Sequence, residues 1–277
     1  MLRIAKTTVC LISIATCGVL GAAPAEAADL PVKAPISRAV AAPVFSWTGC
    51  YVGVNGGGAW VKRSNSLSIT NDPLNPAFNP QLIPGVAANG TGSLNSSGPT
   101  GGAQAGCNYQ SGTFVWGGEA DFDWMNQRQS FGGRFFYPPV GGIPSAYQLN
   151  TTEKVSWLST FRARLGAVVA DRVLLYATGG LAVAEFSSSQ SFFDEFGAVG
   201  GAGSISKVKV GWAAGAGAEF AISMDWSLRA EYLFAQFGGD SNNWVLGNAN
   251  FGLAPYQNSL GNLTVQTARL AVNYRFH

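Results

Sequence analysis

Histidine is all but missing from this chain of 277 residues: one occurs, His277, and it stands last. A Ser-His-Asp triad or a histidine acid–base pair needs an imidazole held inside a site, so those chemistries are excluded. His clusters and C-x-x-C pairs are absent as well, and neither a catalytic nor a metal site is expected. Charge is scarce, at 12% of residues, against about a quarter in an ordinary globular domain. Beyond residue 27 no run of 18 or more apolar residues occurs, which excludes a membrane-spanning helix. The route left into a membrane is a closed barrel, because an open sheet edge cannot satisfy its backbone in lipid.

What is present begins with an export signal. Arg3 and Lys6 supply a positive start, Val9 to Gly21 an apolar stretch, and Ala25-Glu26-Ala27 an A-x-A cleavage site. Residues 1–27 are therefore expected to be a signal peptide. Cys17 would suit a lipoprotein, but Thr16 precedes it where a small Gly or Ala is usual. Without residues 1–27 the chain keeps fifteen Lys and Arg against fourteen Asp and Glu. Such near-neutrality argues against a nucleic-acid partner. Residues 28–46, with Pro31, Pro35 and Pro43 among Ala and Val, read as an extended periplasmic tail.

From residue 47 to 277 the chain has a rhythm. Eight segments of period-two alternation are joined by links that are alternately long and short. The strands are expected at about Trp47–Val61, Thr100–Gln110, Thr113–Asn126, Thr152–Val169, Val173–Phe186, Ser206–Ile222, Trp226–Phe237 and Asn262–Phe276. Short links fall near Ser111-Gly112, Ala170–Arg172 and Ser223–Asp225; long ones fill roughly 62–99, 127–151, 187–205 and 238–261. On the third segment Phe114, Trp116, Phe122 and Trp124 share one face and Glu119, Asp121 and Asp123 the other. A soluble sandwich and a membrane barrel both alternate in this way, with opposite faces inward. Export, low charge and Trp and Tyr near strand ends (Trp47, Tyr51, Trp60, Tyr109, Trp226, Trp244) favour the barrel. The expected fold is all-β: an eight-stranded antiparallel up-and-down transmembrane β-barrel with short periplasmic turns and long extracellular loops, in the outer membrane. The loops, with Asn71-Asp72-Pro73, Asn79-Pro80 and Tyr137-Pro138-Pro139, read as mobile and water-facing. Gly215-Ala216-Gly217 lacks the third glycine and the helix of a phosphate-binding loop.

Several motifs carry a resemblance. Ala28-Asp29-Leu30-Pro31, Trp47-Thr48-Gly49-Cys50-Tyr51-Val52-Gly53, Gly117-Gly118-Glu119-Ala120-Asp121, Tyr176-Ala177-Thr178-Gly179-Gly180, Gly211-Trp212-Ala213-Ala214-Gly215-Ala216-Gly217 and Asn273-Tyr274-Arg275-Phe276 resemble the small outer-membrane barrels of alphaproteobacteria. That porin family is similar to the OmpA transmembrane domain. The resemblance implies a C-terminal assembly signal, Tyr274 and Phe276, read by the barrel-assembly machinery, although His277 follows the final aromatic. It implies outer-membrane lipid and lipopolysaccharide as partners and leaves any extracellular partner unknown. Haem, a ligand of some relatives, finds only Met125 and Met224 as soft donors, so no cofactor is expected.

The remaining candidates lie on the polar faces. Glu119, Asp121 and Asp123 neighbour Arg162 and Arg164, with Glu119 and Arg164 expected at similar height. Glu219 should oppose Arg229, and Glu231, Arg269 and Arg275 continue the set. In a narrow lumen these charges would pair, either as a structural polar core or as a gate for small solutes. Cys50 and Cys107 lie low on adjacent strands, facing lipid, and form either a cross-strand disulfide or two free thiols. The expected role is structural, supporting envelope integrity and presenting loops; a small-solute channel and a surface adhesin or receptor are the alternatives.

Overall fold

Eight strands close on themselves in the computed structural model, which describes residues 45–70, 81–137, 146–195, 200–248 and 252–276. The chain runs β1 (Gly49–Ile69), α1 (Ile83–Asn89), β2 (Gly92–Ser111), β3 (Phe114–Phe136), β4 (Ala146–Ala170), β5 (Val173–Asp194) and β6 (Gly200–Ala221), then β7 (Trp226–Phe237), β8 (Asp240–Asn248), β9 (Gly252–Leu260) and β10 (Leu263–Phe276). The ring order is β1-β2-β3-β4-β5-β6-β7-β10. Antiparallel pairing of β10 with β1, from Cys50 opposite Phe276 to Lys62 opposite Thr264, completes it. The expected signal peptide, the tail as far as residue 44, the loop motifs at 71–73, 79–80 and 138–139, and His277 lie outside the described residues. The tight turn after β2 places Gly112 at φ +60°, a left-handed conformation that glycine adopts without steric cost.

The strands are longer than their alternation suggested, because its sense reverses partway up. On lower β1 the outward residues Val52, Val54 and Trp60 are apolar while Tyr51 and Asn55 point inward. Above Lys62 the outward residues are Ser64, Ser66 and Ser68, and Leu67 and Ile69 are buried inside. β5 repeats the switch, from outward Leu175 and Leu181 to outward Ser187, Ser189 and Ser191 around buried Phe186 and Phe192. In lipid the apolar face turns out; in water it turns in. The change of solvent therefore marks the outer edge of the membrane belt on each strand. On β1 the belt from Val52 to Trp60 is close to the roughly 9–11 residues that a tilted strand needs.

Two expectations about the loops are corrected. Within the fourth long link β8 and β9 pair with each other, and β9 continues the wall beside β1 from Asn65 opposite Leu260 to Ile69 opposite Tyr256. The first long link, expected at 62–99, carries α1, with Val86 fully buried. Both stay ordered for one reason: Leu67, Val86, Tyr147, Phe192, Leu246 and Tyr256 pack together inside the upper barrel. Above the belt, β8 approaches β6 without joining its ladder. Lys207 Nζ reaches Asp240 at 3.1 Å across this join, and the Trp244 ring lies where side chains on Gly201 and Gly203 would stand.

The aromatic girdle is also corrected. Trp60, Tyr109 and Trp226 face outward, but Trp47 and Tyr51 are buried in the lumen, at 0% and 2% exposure. Trp47 packs with Phe45, Leu174 and Tyr176 at the periplasmic mouth. The end of the expected tail, Phe45 and Ser46, thus belongs to the barrel rather than to a spacer. On the opposite rim Arg134 donates to Glu195 at 2.5 Å, and that hydrogen bond holds the Glu195 carboxyl below its usual range.

Candidate functional site

The inward charges form one layer in the lower lumen. β3 contributes Glu119, Asp121 and Asp123, because alternate residues of a strand share a face. β4 contributes Arg162 and Arg164, β6 Glu219, β7 Arg229 and Glu231, and β10 Arg269; all are buried. Arg162 contacts Glu119 at 2.7 Å, Asp121 at 2.6 Å and Glu231 at 3.1 Å. Arg269 reaches Asp121 at 2.7 Å and Glu231 at 2.6 Å, and pairs with Asp123. Arg164 pairs with Glu219. Arg229 pairs with Glu119 and lies 3.3 Å from Glu219. In the ring order β3 and β7 are diametrically opposed, so the Arg229–Glu119 pair spans the lumen.

Glu219 stands opposite Arg229, as expected. Glu119 instead faces Arg162, while Arg164 faces Gly117 and reaches across to β6. Counting residues from the turns ignores the stagger that a closed, tilted sheet imposes between neighbouring strands. Arg275 sits below the layer, donating to the Ser46 carbonyl at 2.7 Å with its guanidinium over the Phe45 and Trp47 rings. With Arg275 counted, five arginines face five carboxylates in the lower lumen.

The layer also uses neutral residues. Tyr51 donates to Glu119, and Tyr176 to Glu231 at 2.7 Å. Thr160 donates to Asp121 at 2.9 Å. Asn273 donates to Glu219 at 3.0 Å and accepts from Gln104 at 2.6 Å. Their inward parity was the available signal: Tyr51 shares a face with Asn55 and Tyr176 with Thr178. Gly106 makes room for one tyrosine, since a Cβ there would lie 2.6 Å from the Tyr51 hydroxyl.

Above the charge layer the lumen is apolar, with Met125, Leu158, Phe186, Leu233 and Val265 in contact across it. A cavity beside Arg63, Glu153 and Phe186 measures about 10 Å³, room for a single water. Met125 belongs to this apolar layer and Met224 to the exposed β6–β7 turn, so the two soft donors are not brought together. Among the described residues no group of three or more His, Cys, Asp and Glu is arranged to hold a metal.

Cys50 and Cys107 are directly opposite on β1 and β2, face outward, and are bonded, with an S–S distance of 2.05 Å. Alkylation of unreduced, denatured mature protein should therefore find no free thiol. Mass spectra showing two alkylated cysteines would contradict the bond. Tyr274 and Phe276 face outward at the low end of β10, 38% and 50% exposed, with the Tyr274 ring 5.1 Å from Trp226.

Three comparisons bear on this geometry. The family described as "Outer membrane protein beta-barrel domain" matches residues 15–276. The 31 kDa outer-membrane immunogenic protein of Brucella melitensis is 34% identical, over 95% of this chain and 98% of its own length. The 25 kDa outer-membrane immunogenic protein of Brucella abortus is 26% identical, over 89% and 85%. Among solved structures, Ail, the attachment invasion locus protein of Yersinia pestis, covers 83% of this chain and 99% of its own at 15% identity, with a TM-score of 0.33.

Proposed function

From the premise that this chain belongs to the outer membrane protein beta-barrel domain family, we propose that it is a closed, non-conducting barrel. It anchors a β-crown outside the outer membrane and contributes to envelope integrity. One observation carries this reading: Arg229 on β7 pairs with Glu119 on the opposite wall. An eight-stranded barrel is just wide enough for its own side chains, so a salt bridge across the diameter leaves no path for a hydrated solute. The apolar layer above and the edge-to-face Phe45–Trp47 pair below support the same reading.

The reading is also non-enzymatic. The five carboxylates of the lower charge layer are each held by arginine. Held in that way they are shielded from solvent and their oxygens are engaged by arginine, whereas a general acid or base must reach the proton it transfers.

The test is electrical. Refolded mature protein in planar bilayers should give no steady, reproducible openings, while heat-modified gel mobility shows it to be folded. Stepwise conductance from folded protein, altered by Arg164→Glu, would replace the closed barrel with a gated channel.

A further inference from the structure

The outer face just above the membrane belt has a composition of its own. On β1, β2 and β5 its outward residues are hydroxyl and amide side chains, such as Ser64, Asn95 and Ser189. A surface facing bulk water ordinarily mixes charges of both signs. Here the lower edge of the zone carries charge of one sign on β1, β3 and β4, while the outward arginine higher on β3, Arg134, is paired with Glu195. Lys62 lies on β1, opposite Asn95 of β2. Ser96 of β2 hydrogen-bonds the Arg128 carbonyl on β3, and Arg128 stands opposite Lys154 of β4.

All three cations face outward, and among the described residues none has a carboxylate within ion-pair distance. Three strand spacings set the patch at about 14 Å across. Trp60, Trp124 and Trp157 lie directly beneath, Trp60 and Trp124 at 44% and 65% exposure, and Trp marks a membrane–water interface. The one outward carboxylate at this height among the described residues, Glu185 on β5, is opposite Trp157, below Lys154.

We propose that Lys62, Arg128 and Lys154 form a binding site for the phosphorylated sugar headgroup of an outer-leaflet glycolipid, lipopolysaccharide. The phosphates pair with the three cations at the level where acyl chains give way to headgroup. The sugars lie along the serine and asparagine surface above, exchanging hydrogen bonds with side chains that are both donors and acceptors. An anion at a membrane boundary is screened less than in bulk water, so the pairing is stronger there than between exposed surface charges. The site rests on the outer-membrane placement of the barrel and not on a closed lumen, so it and the conductance reading fail separately.

The test compares the folded mature protein with Lys62→Gln/Arg128→Gln/Lys154→Gln in detergent, each titrated with fluorescent lipopolysaccharide and with phosphatidylglycerol. All three positions are on the surface, and gel mobility checks folding; the single variants Lys62→Gln and Lys154→Gln serve if the triple does not fold. The expected result is that the triple variant binds lipopolysaccharide about tenfold or more weakly, each single variant a lesser part of that, with phosphatidylglycerol bound weakly and equally by all. Lipopolysaccharide affinity within about twofold of the parent would overturn the site. Equal loss of both lipids would reduce it to nonspecific attraction and overturn the headgroup assignment.

Discussion

Arg229→Ala is expected to destabilise the folded barrel by about 3–5 kcal/mol, the usual cost of removing one partner from a buried ion pair. Arg229 is 1% exposed, pairs with Glu119 and Glu219, and lies 5.1 Å from the Tyr51 ring centroid and 5.6 Å from that of Tyr176. Alanine would leave Glu119 with Arg162 and Tyr51 alone, and Glu219 with Arg164 and neutral donors. The loss should appear as a lower urea midpoint for tryptophan fluorescence and a lower temperature for the gel shift of the folded band. Adding Glu119→Gln to Arg229→Ala should recover part of it, because the orphaned charge is then gone. A single variant as stable as the parent would mean that water or rearrangement satisfies these carboxylates and that the diametric pair does not hold the layer together.

Gly57→Ala and Gly56→Ala, one residue apart, should behave oppositely. Gly57 shares its parity with the inward residues Asn55 and Ala59, and a Cβ there would lie 2.0 Å from the Ala268 carbonyl oxygen and 2.7 Å from the Arg269 Cα. Both atoms are backbone of β10, at the pairing that closes the ring. The strand cannot yield without opening that ladder, so the expected cost is at or above the upper end of the roughly 1–3 kcal/mol of ordinary overpacking. A Cβ on Gly56 meets nothing nearer than the Thr100 carbonyl oxygen at 3.9 Å, and that variant should fold like the parent. The folded fraction of each after refolding into lipid, read by gel mobility, checks the contrast. Equal yields would show that β1 and β10 can separate slightly without loss.

The barrel was legible because lipid leaves a strong signature on short strands. Phe114, Trp116 and Trp124 alternate with Glu119, Asp121 and Asp123, and no soluble surface needs so few charges elsewhere. The upper halves of the strands were not legible for the complementary reason. Past Lys62 the apolar face turns from lipid to lumen, and Ser64, Ser66 and Ser68 read as loop when they are the wet face of a wall. The long link at 238–261 was misread in the same way: Leu246 and Tyr256 are core residues only once β9 lies against β1.

The sequence by itself determined the outer-membrane barrel, its antiparallel ring of eight and the inward parity of the charges in the lower lumen, because period-two alternation is a local property of the chain. The tertiary structure decided who pairs with whom. Arg229 meets Glu119 across 110 positions of sequence and Arg269 meets Asp123 across 146, and those meetings depend on strand stagger and ring closure. Both are set by the geometry of a closed, tilted sheet, which no single strand encodes. The outward cations followed the same division: Lys62, Arg128 and Lys154 are scattered in the chain and become one patch when β1 to β4 lie side by side.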